Sequence, residues 1–368
     1  MSGSGIAGVG IIGAGVISDQ YLANLTQFQD VEVRFVADVL LDRAASQAAE
    51  YGVADHGTVE QLLARDDIEV VVNLTLPAGH ADVDLQIIAA GKHVWSEKPV
   101  ATDHASAAAV LDAAAAAGVR VACAPDTVLG AGIQSALRAI ARGDIGTPLT
   151  ATTMFQVPGP DLWHPNPDFL YAEGAGPLFD IGPYYITTLV HAFGSASRVH
   201  AVSSKSRETR TVGSGPRAGE EFPVEVPTHH AALIQFAGGE SAQTTLSFQH
   251  ALPRFGFVEI NGTDGTISLP DPNVFEGEST LWTLGRDEPT TLPAVGSTWG
   301  RGTGVVDLVR SVRAGVDEHA SGATAMHVLD VMLAIRDAAA SGDPVDVASS
   351  VGPIGTLPED FDPAARTL

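Results

Sequence analysis

Three groups of residues in this chain have the types and spacing to do chemistry. Gly13-Ala14-Gly15-Val16-Ile17-Ser18 follows an apolar run over 6–12 and opens a helical pattern. The first glycine permits a tight turn, the second lets a pyrophosphate approach the backbone, and a small residue at 18 lets helix and strand pack closely. The helix start offers unpaired N–H groups to the phosphates, with Val16 and Ile17 in its first turn. Asp38 ends the next apolar run, 20 residues after Ser18. A carboxylate there accepts hydrogen bonds from the ribose hydroxyls of NAD and repels the 2′-phosphate of NADP, so NAD is favoured; Arg43 is the nearest cation that argues otherwise. Lys98, in Glu97-Lys98-Pro99, is one of only three lysines, with Lys92 and Lys205. It follows the apolar run 93–96, and ligands of open α/β sheets lie beyond the carboxyl ends of the strands. Taken singly, each group has a plainer account: an ordinary glycine turn, a strand-end aspartate, a solvated lysine.

Elements able to position these groups are legible around them. Apolar runs at 6–12, 31–37, 70–74, 93–96 and 119–124 read as strands, and they alternate with helical segments at 42–51, 81–90 and after Thr102 or Asp103. The β-branched run at 70–74 is that of a strand buried on both faces. Thr58 and Gln61 form a capping-box pair, and Gly118 ends an alanine-rich helix. This rhythm predicts an α/β chain beginning with a doubly wound parallel Rossmann sheet. Beyond Pro125 the texture changes. One more helix at 134–142 precedes alternating strands at 231–236, 243–248, 257–260 and 266–269, joined by hairpin-like turns at 237–240 and 262–265. Residues 204–226 read as a surface excursion, and helices at 305–316 and 324–340 close the chain. The expected division is a nucleotide-binding domain over 1–125 and an α+β domain over 126–368, the latter carrying a large, mostly antiparallel open sheet.

Composition narrows the partners. The chain has 368 residues, 44 acidic and 20 basic side chains and a formal charge of −24. Such a surface repels nucleic acid and anionic lipid. Hydrophobic residues at 45% and charged residues at 17% are globular values. The single cysteine, Cys123, reads as a buried thiol and excludes an internal disulfide. The most apolar stretch, 105–124, is interrupted by Asp112 and Arg120 and is too broken to span a membrane. With no basic n-region or twin arginine at its start, the chain is expected to be cytoplasmic.

Several motifs in a fixed order carry a resemblance. Thr75-Leu76-Pro77-Ala78-Gly79-His80, Ala90-Gly91-Lys92-His93-Val94 running into Glu97-Lys98-Pro99, and Gly174-Ala175-Gly176-Pro177-Leu178-Phe179-Asp180-Ile181-Gly182 together resemble the Gfo/Idh/MocA oxidoreductases, relatives of glucose–fructose oxidoreductase and inositol dehydrogenase. The resemblance covers nearly the whole chain. It implies that Thr75, Pro77, His80, Glu97 and Lys98 line the cofactor, that Lys98 is the catalytic lysine with a Lys98–Pro99 bond that can be cis, and that Asp180 is the active-site aspartate. Where inositol dehydrogenase-like members carry a catalytic histidine, this chain has Tyr184, as in glucose–fructose oxidoreductase-like and dihydrodiol or xylose dehydrogenase-like branches.

A tyrosine site has its own physics. Oxidising an alcohol needs a base for the hydroxyl proton, and a free phenol with a pKa of about 10 is a poor one at neutral pH. A neighbouring Lys98 ammonium stabilises the phenolate and can hydrogen-bond a developing alkoxide. Asp180 then orients substrate or lysine, and Lys98 itself is a second candidate for proton transfer. Trp163, His164 and Asn166 combine an apolar ring face with polar donors and acceptors, as a sugar requires; Asp126 and Gln134 are weaker candidates. Thr228-His229-His230 holds adjacent histidines that point to opposite faces of a strand, so no metal is expected. The reading is an NAD-dependent dehydrogenase of a secondary hydroxyl in a sugar, sugar derivative or cyclic polyol, working as a homodimer or homotetramer. The alternatives are a cofactor-retaining sugar oxidoreductase, an oxidation-assisted glycoside-cleaving enzyme, and a non-catalytic sugar-responsive regulator.

Overall fold

The computed structural model describes residues 5–368. Two compact units emerge: the first holds the residues up to Gln134 with Val295–Leu329 and Gly355–Leu368, the second Ser135–Ala294 and Asp330–Ile354.

In the first unit the chain runs β1 (Ala7–Ile12), α1 (Val16–Leu25), β2 (Val31–Ala37), α2 (Leu41–Tyr51), β3 (Asp55–Gly57), α3 (Val59–Leu63), β4 (Val70–Asn73), α4 (His80–Ala89), β5 (His93–Ser96), α5 (His104–Ala117) and β6 (Val121–Cys123), then enters α6 (Ala131–Ala141). The six strands are parallel in the order β3-β2-β1-β4-β5-β6, the doubly wound arrangement expected. Every residue of β1 and β4 is buried, which explains their unbroken apolar character. Local chemistry sets the helix ends. Thr58 and Gln61 complete a capping box, Asp103 accepts from Ser106 N at 2.9 Å, and Gly118 ends α5 at φ +67°. Cys123 is buried, as expected.

Beyond the expected boundary at residue 125, the helix Thr303–Ala314 groups with the first unit. Its side chains Val305, Val306, Leu308 and Val309 are buried. The helix comes so close to β5 that a Cβ on Gly304 would lie 2.0 Å from the Trp95 ring. Asp126, straight after β6, caps this helix by accepting from Gly302 N at 2.8 Å and Gly304 N at 3.2 Å. Thr367 and Leu368 are tied down as well, since Asp30 accepts from the N–H of each. An amphipathic pattern shows that a helix has an apolar face but not which sheet the face covers.

The second unit is built on nine strands. In chain order they are β7 (Pro148–Gln156), β8 (Ala196–Ser204), β11 (His229–Phe236), β12 (Ser241–Ser247), β13 (Arg254–Gly262), β14 (Gly265–Leu269), β15 (Ser279–Thr283), β16 (Thr290–Leu292) and β17 (Val345–Asp346), with β9 (Thr209–Thr211) and β10 (Glu221–Pro223) paired separately. The spatial order is β16-β15-β14-β13-β7-β12-β11-β8-β17, antiparallel except where β7 lies beside β12. Helices α7 (Gly176–Asp180) and α8 (Gly182–Phe193) pack on β7, β11 and β12. Strand β11 alternates accordingly, with His230, Ala232, Ile234 and Phe236 buried. Val202, Leu233, Phe257 and Trp282 stay exposed on their strands. The helices Thr303–Ala314 and Gly322–Ser341 are α9 and α10.

Candidate active site

In the first unit the strand order reverses between β1 and β4, and the expected cofactor residues gather at the carboxyl ends of β1, β2, β4 and β5. Gly13 has φ +102°, and a Cβ there would lie 2.7 Å from Leu74 O, so glycine is required twice over. A Cβ on Gly15 would meet no protein atom within 4 Å. That open space, at the N-cap of α1, fits a pyrophosphate against the free N–H groups of Val16 and Ile17. Ser18, buried beneath the turn, donates its hydroxyl to Gly15 O at 2.6 Å.

Asp38 directly follows β2 and bonds the backbone around it. Its Oδ2 accepts from Ala14 N and its Oδ1 from Leu40 N, both at 2.7 Å. The carboxylate therefore shapes the glycine turn itself. Each oxygen keeps a second lone pair for a ribose hydroxyl.

Asn73, which the sequence reading did not single out, is the hub beneath the Thr75 loop. Its amide donates to His80 O at 3.1 Å and Asp84 Oδ1 at 2.7 Å, and its Oδ1 accepts from Thr75 N at 3.1 Å and Thr75 Oγ1 at 2.7 Å. Burial pushes the Asp84 carboxyl up to about 7, against the pull of the Asn73 amide. The one available signal was a polar residue closing a β-branched run. Pro77 starts an exposed 3-10 turn.

His80 is held within the protein itself. Its Nδ1 stands 2.6 Å from Pro99 O and its Nε2 2.9 Å from Thr75 O, in a side chain that is fully buried. The ring thus stands between the loops after β4 and β5, close to a backbone oxygen of each. Glu97 is a brace. Its Oε1 accepts from Tyr21 OH at 2.8 Å, its Oε2 from Lys98 N at 3.0 Å, and Trp95 Nε1 donates to the same Tyr21 oxygen at 3.1 Å. Burial, and then Glu97, raise the Tyr21 hydroxyl well above its ordinary pKa. Lys98, half-buried, leaves this braced loop through a cis bond to Pro99.

In the second unit Asp180 ends α7 and Tyr184 lies in the first turn of α8, with Ile181 between the two helices. Pro183 occupies the first turn, as predicted. Tyr184 is buried, its N–H donating to Ile181 O at 3.1 Å, while Asp180 is half-buried. Trp163 is exposed in the loop after β7. The His164 ring packs edge-on to Trp163 at 5.5 Å and Phe169 at 5.4 Å, and its Nδ1 accepts from Asn166 N at 3.0 Å. Asp126 and Gln134 are structural: the first caps α9, and the second bonds Val128 O and Leu357 N. His229 lies 5.8 Å from His250 between ring centroids, and among the described residues no group of three or more His, Cys, Asp or Glu is placed to hold a metal. Nor is any described helix long and apolar enough to cross a membrane.

Comparison with known proteins accords with this geometry. Residues 7–124 match the oxidoreductase family model for the NAD-binding Rossmann fold, and residues 133–268 match the Gfo/Idh/MocA C-terminal domain. An uncharacterized oxidoreductase of Rhizobium meliloti is 30% identical over 271 residues, 72% of this chain and 74% of that protein. The mouse (Mus musculus) trans-1,2-dihydrobenzene-1,2-diol dehydrogenase is 27% identical over 263 residues, 71% of this chain and 73% of its own length. Levoglucosan dehydrogenase in complex with NADH and L-sorbose has the same fold, with a TM-score of 0.81 at 22% identity over 94% of this chain and all of the other. This chain belongs to the Gfo/Idh/MocA oxidoreductases and is built on their NAD-binding Rossmann domain.

Proposed function

We propose that this oxidoreductase is an NAD-dependent dehydrogenase acting on a secondary hydroxyl of a sugar, sugar derivative or cyclic polyol. The observation that carries the reading is the bracing of the Glu97-Lys98-Pro99 loop, held from one side by Tyr21 and from the other by His80. A lysine launched from so fixed a backbone, at the carboxyl edge of β5, is a tool rather than surface filler. The similarity to a diol dehydrogenase supports an alcohol as substrate.

Bound NAD supplies the acceptor for the hydride that leaves the carbinol carbon. The chain's own residues handle the proton and the geometry. Lys98 donates a hydrogen bond to the substrate oxygen and favours its alkoxide form, and the Tyr184 hydroxyl is the partner for that proton. Asp180 orients substrate or lysine, and Trp163, His164 and Asn166 meet the sugar's ring face and hydroxyls. We place the protein in the cytoplasm as a homodimer or homotetramer, joined through the exposed Val202, Leu233, Phe257 and Trp282 side of the large sheet. The test is NADH formation by the purified protein on a panel of D-glucose, D-xylose, levoglucosan and myo-inositol. Turnover of at least one supports the reading, and no turnover of any sugar or polyol refutes it.

A further inference from the structure

Residues 204–226 read as a plain surface excursion, yet the structure gives them buried and specific work. Arg210, on β9, is 8% exposed. It donates to Asp161 Oδ1 and Pro158 O, both at 2.8 Å, and to Phe248 O, and its guanidinium lies 5.2 Å from the centre of the Tyr171 ring. Tyr171 donates its hydroxyl to the same Asp161 oxygen. Gly159 is at φ +134°, and a Cβ there would lie 2.3 to 2.5 Å from the tips of Asp161, Arg210 and Tyr171. Three side chains thus converge on the spot where the loop after β7 leaves the sheet.

The grip continues along that loop. Gly213 N donates to Asp161 O at 2.8 Å, and Ser214 Oγ donates to Trp163 O at 2.7 Å. Arg217 holds Asp168 with two bonds, at 2.7 and 3.0 Å. Pro158 O, Asp161 O, Trp163 O and the carboxylates of Asp161 and Asp168 are thereby occupied, while Leu162, Trp163 and Phe169 remain 56%, 67% and 51% exposed. Here polar bonds fix the backbone with the rings turned out.

We propose that the arm Thr209–Pro223 is a clasp that sets substrate specificity, with Arg210 and Arg217 as positioning residues holding Trp163, His164 and Phe169 against an apolar ring face of the sugar. This rests on the reading that the Trp163–Asn166 loop contacts substrate. Arg210 is buried and its loss can unfold the unit, so the test uses the half-exposed pair Arg217 and Asp168 in the full chain.

Arg217→Ala, Asp168→Ala and the double variant are compared with wild type on the best-turned-over sugar of the panel above. Each single variant is expected to raise the sugar KM about fivefold, the effect of roughly 1 kcal/mol. The double variant should be no worse than either single, and kcat and NAD affinity should be unchanged. Arg217→Asp combined with Asp168→Arg should recover most of the lost affinity, which a general loss of stability would not allow. Trp163→Ala separates the layers. If it leaves KM unchanged, the substrate-loop reading falls and the clasp with it. If it raises KM while Arg217→Ala and Asp168→Ala do not, the clasp alone is overturned.

Discussion

Asp38→Asn is the most informative single change at the cofactor end, because it separates the backbone bonds that Asp38 makes from the cofactor-discriminating charge proposed for it. Its two oxygens accept from Ala14 N and Leu40 N at 2.7 Å each. The asparagine keeps one acceptor oxygen, so one of those backbone donors loses its partner at a cost of about 1–3 kcal/mol. That cost falls on the glycine turn and weakens every dinucleotide alike. The loss of charge acts selectively. Asp38 is only 8% exposed, so solvent screens it little. A unit charge about 5 Å from a phosphate charge, at an effective dielectric of about 20, is worth roughly 3 kcal/mol, or about two orders of magnitude in affinity. Wild type is expected to use NAD far better than NADP, and Asp38→Asn to narrow the ratio of kcat/KM values about a hundredfold. The assay is initial-rate kinetics with both cofactors on one sugar. An equal fall for both cofactors would show that the carboxylate acts only through the turn, and strong use of NADP by wild type would refute the assignment outright.

Two further predictions concern buried groups. Tyr184→Phe should lower kcat by about two orders of magnitude, within the range of general acid–base contributions, while changing the sugar KM much less; a kcat near wild type would remove the phenol from the proton path. Asp84 makes stability depend on pH. Its folded pKa is raised by burial to about 7, above the unfolded value near 4, so the folded state holds the extra proton between these values. The stabilisation is complete at the acid end and is lost as pH rises through about 7. Between about pH 5.5 and 8.5 wild type should lose about 2 kcal/mol relative to Asp84→Asn, read as diverging urea midpoints, whereas parallel midpoints would contradict the buried-acid account.

What could be read from the sequence was whatever local chemistry dictates. Gly13 announces its turn because no other residue takes φ +102° in that space, and Thr58, Gln61, Asp103 and Gly118 mark helix ends through bonds a few residues long. The continuous burial of Val70–Asn73 showed equally well. The hidden features all pair residues far apart in the chain. Nothing near Asp38 says that Ala14 will share its carboxylate, and nothing near His80 says that Pro99 will occupy its ring. Arg210 stands 49 residues from Asp161, in a segment whose glycines and prolines imply a loose surface. Strand β7 is far from β12 in sequence yet pairs with it in parallel, and no periodicity reveals such a partner.

Lys98 carries the proposed chemistry. The decisive measurement is the rate of NADH formation by Lys98→Met on the best sugar substrate, alongside its affinity for NAD. The proposed role predicts a kcat lowered by about three orders of magnitude with NAD binding nearly unchanged, because the braces Tyr21–Glu97 and His80–Pro99 do not involve the lysine side chain. A variant that binds NAD normally and still turns over within tenfold of wild type would contradict it.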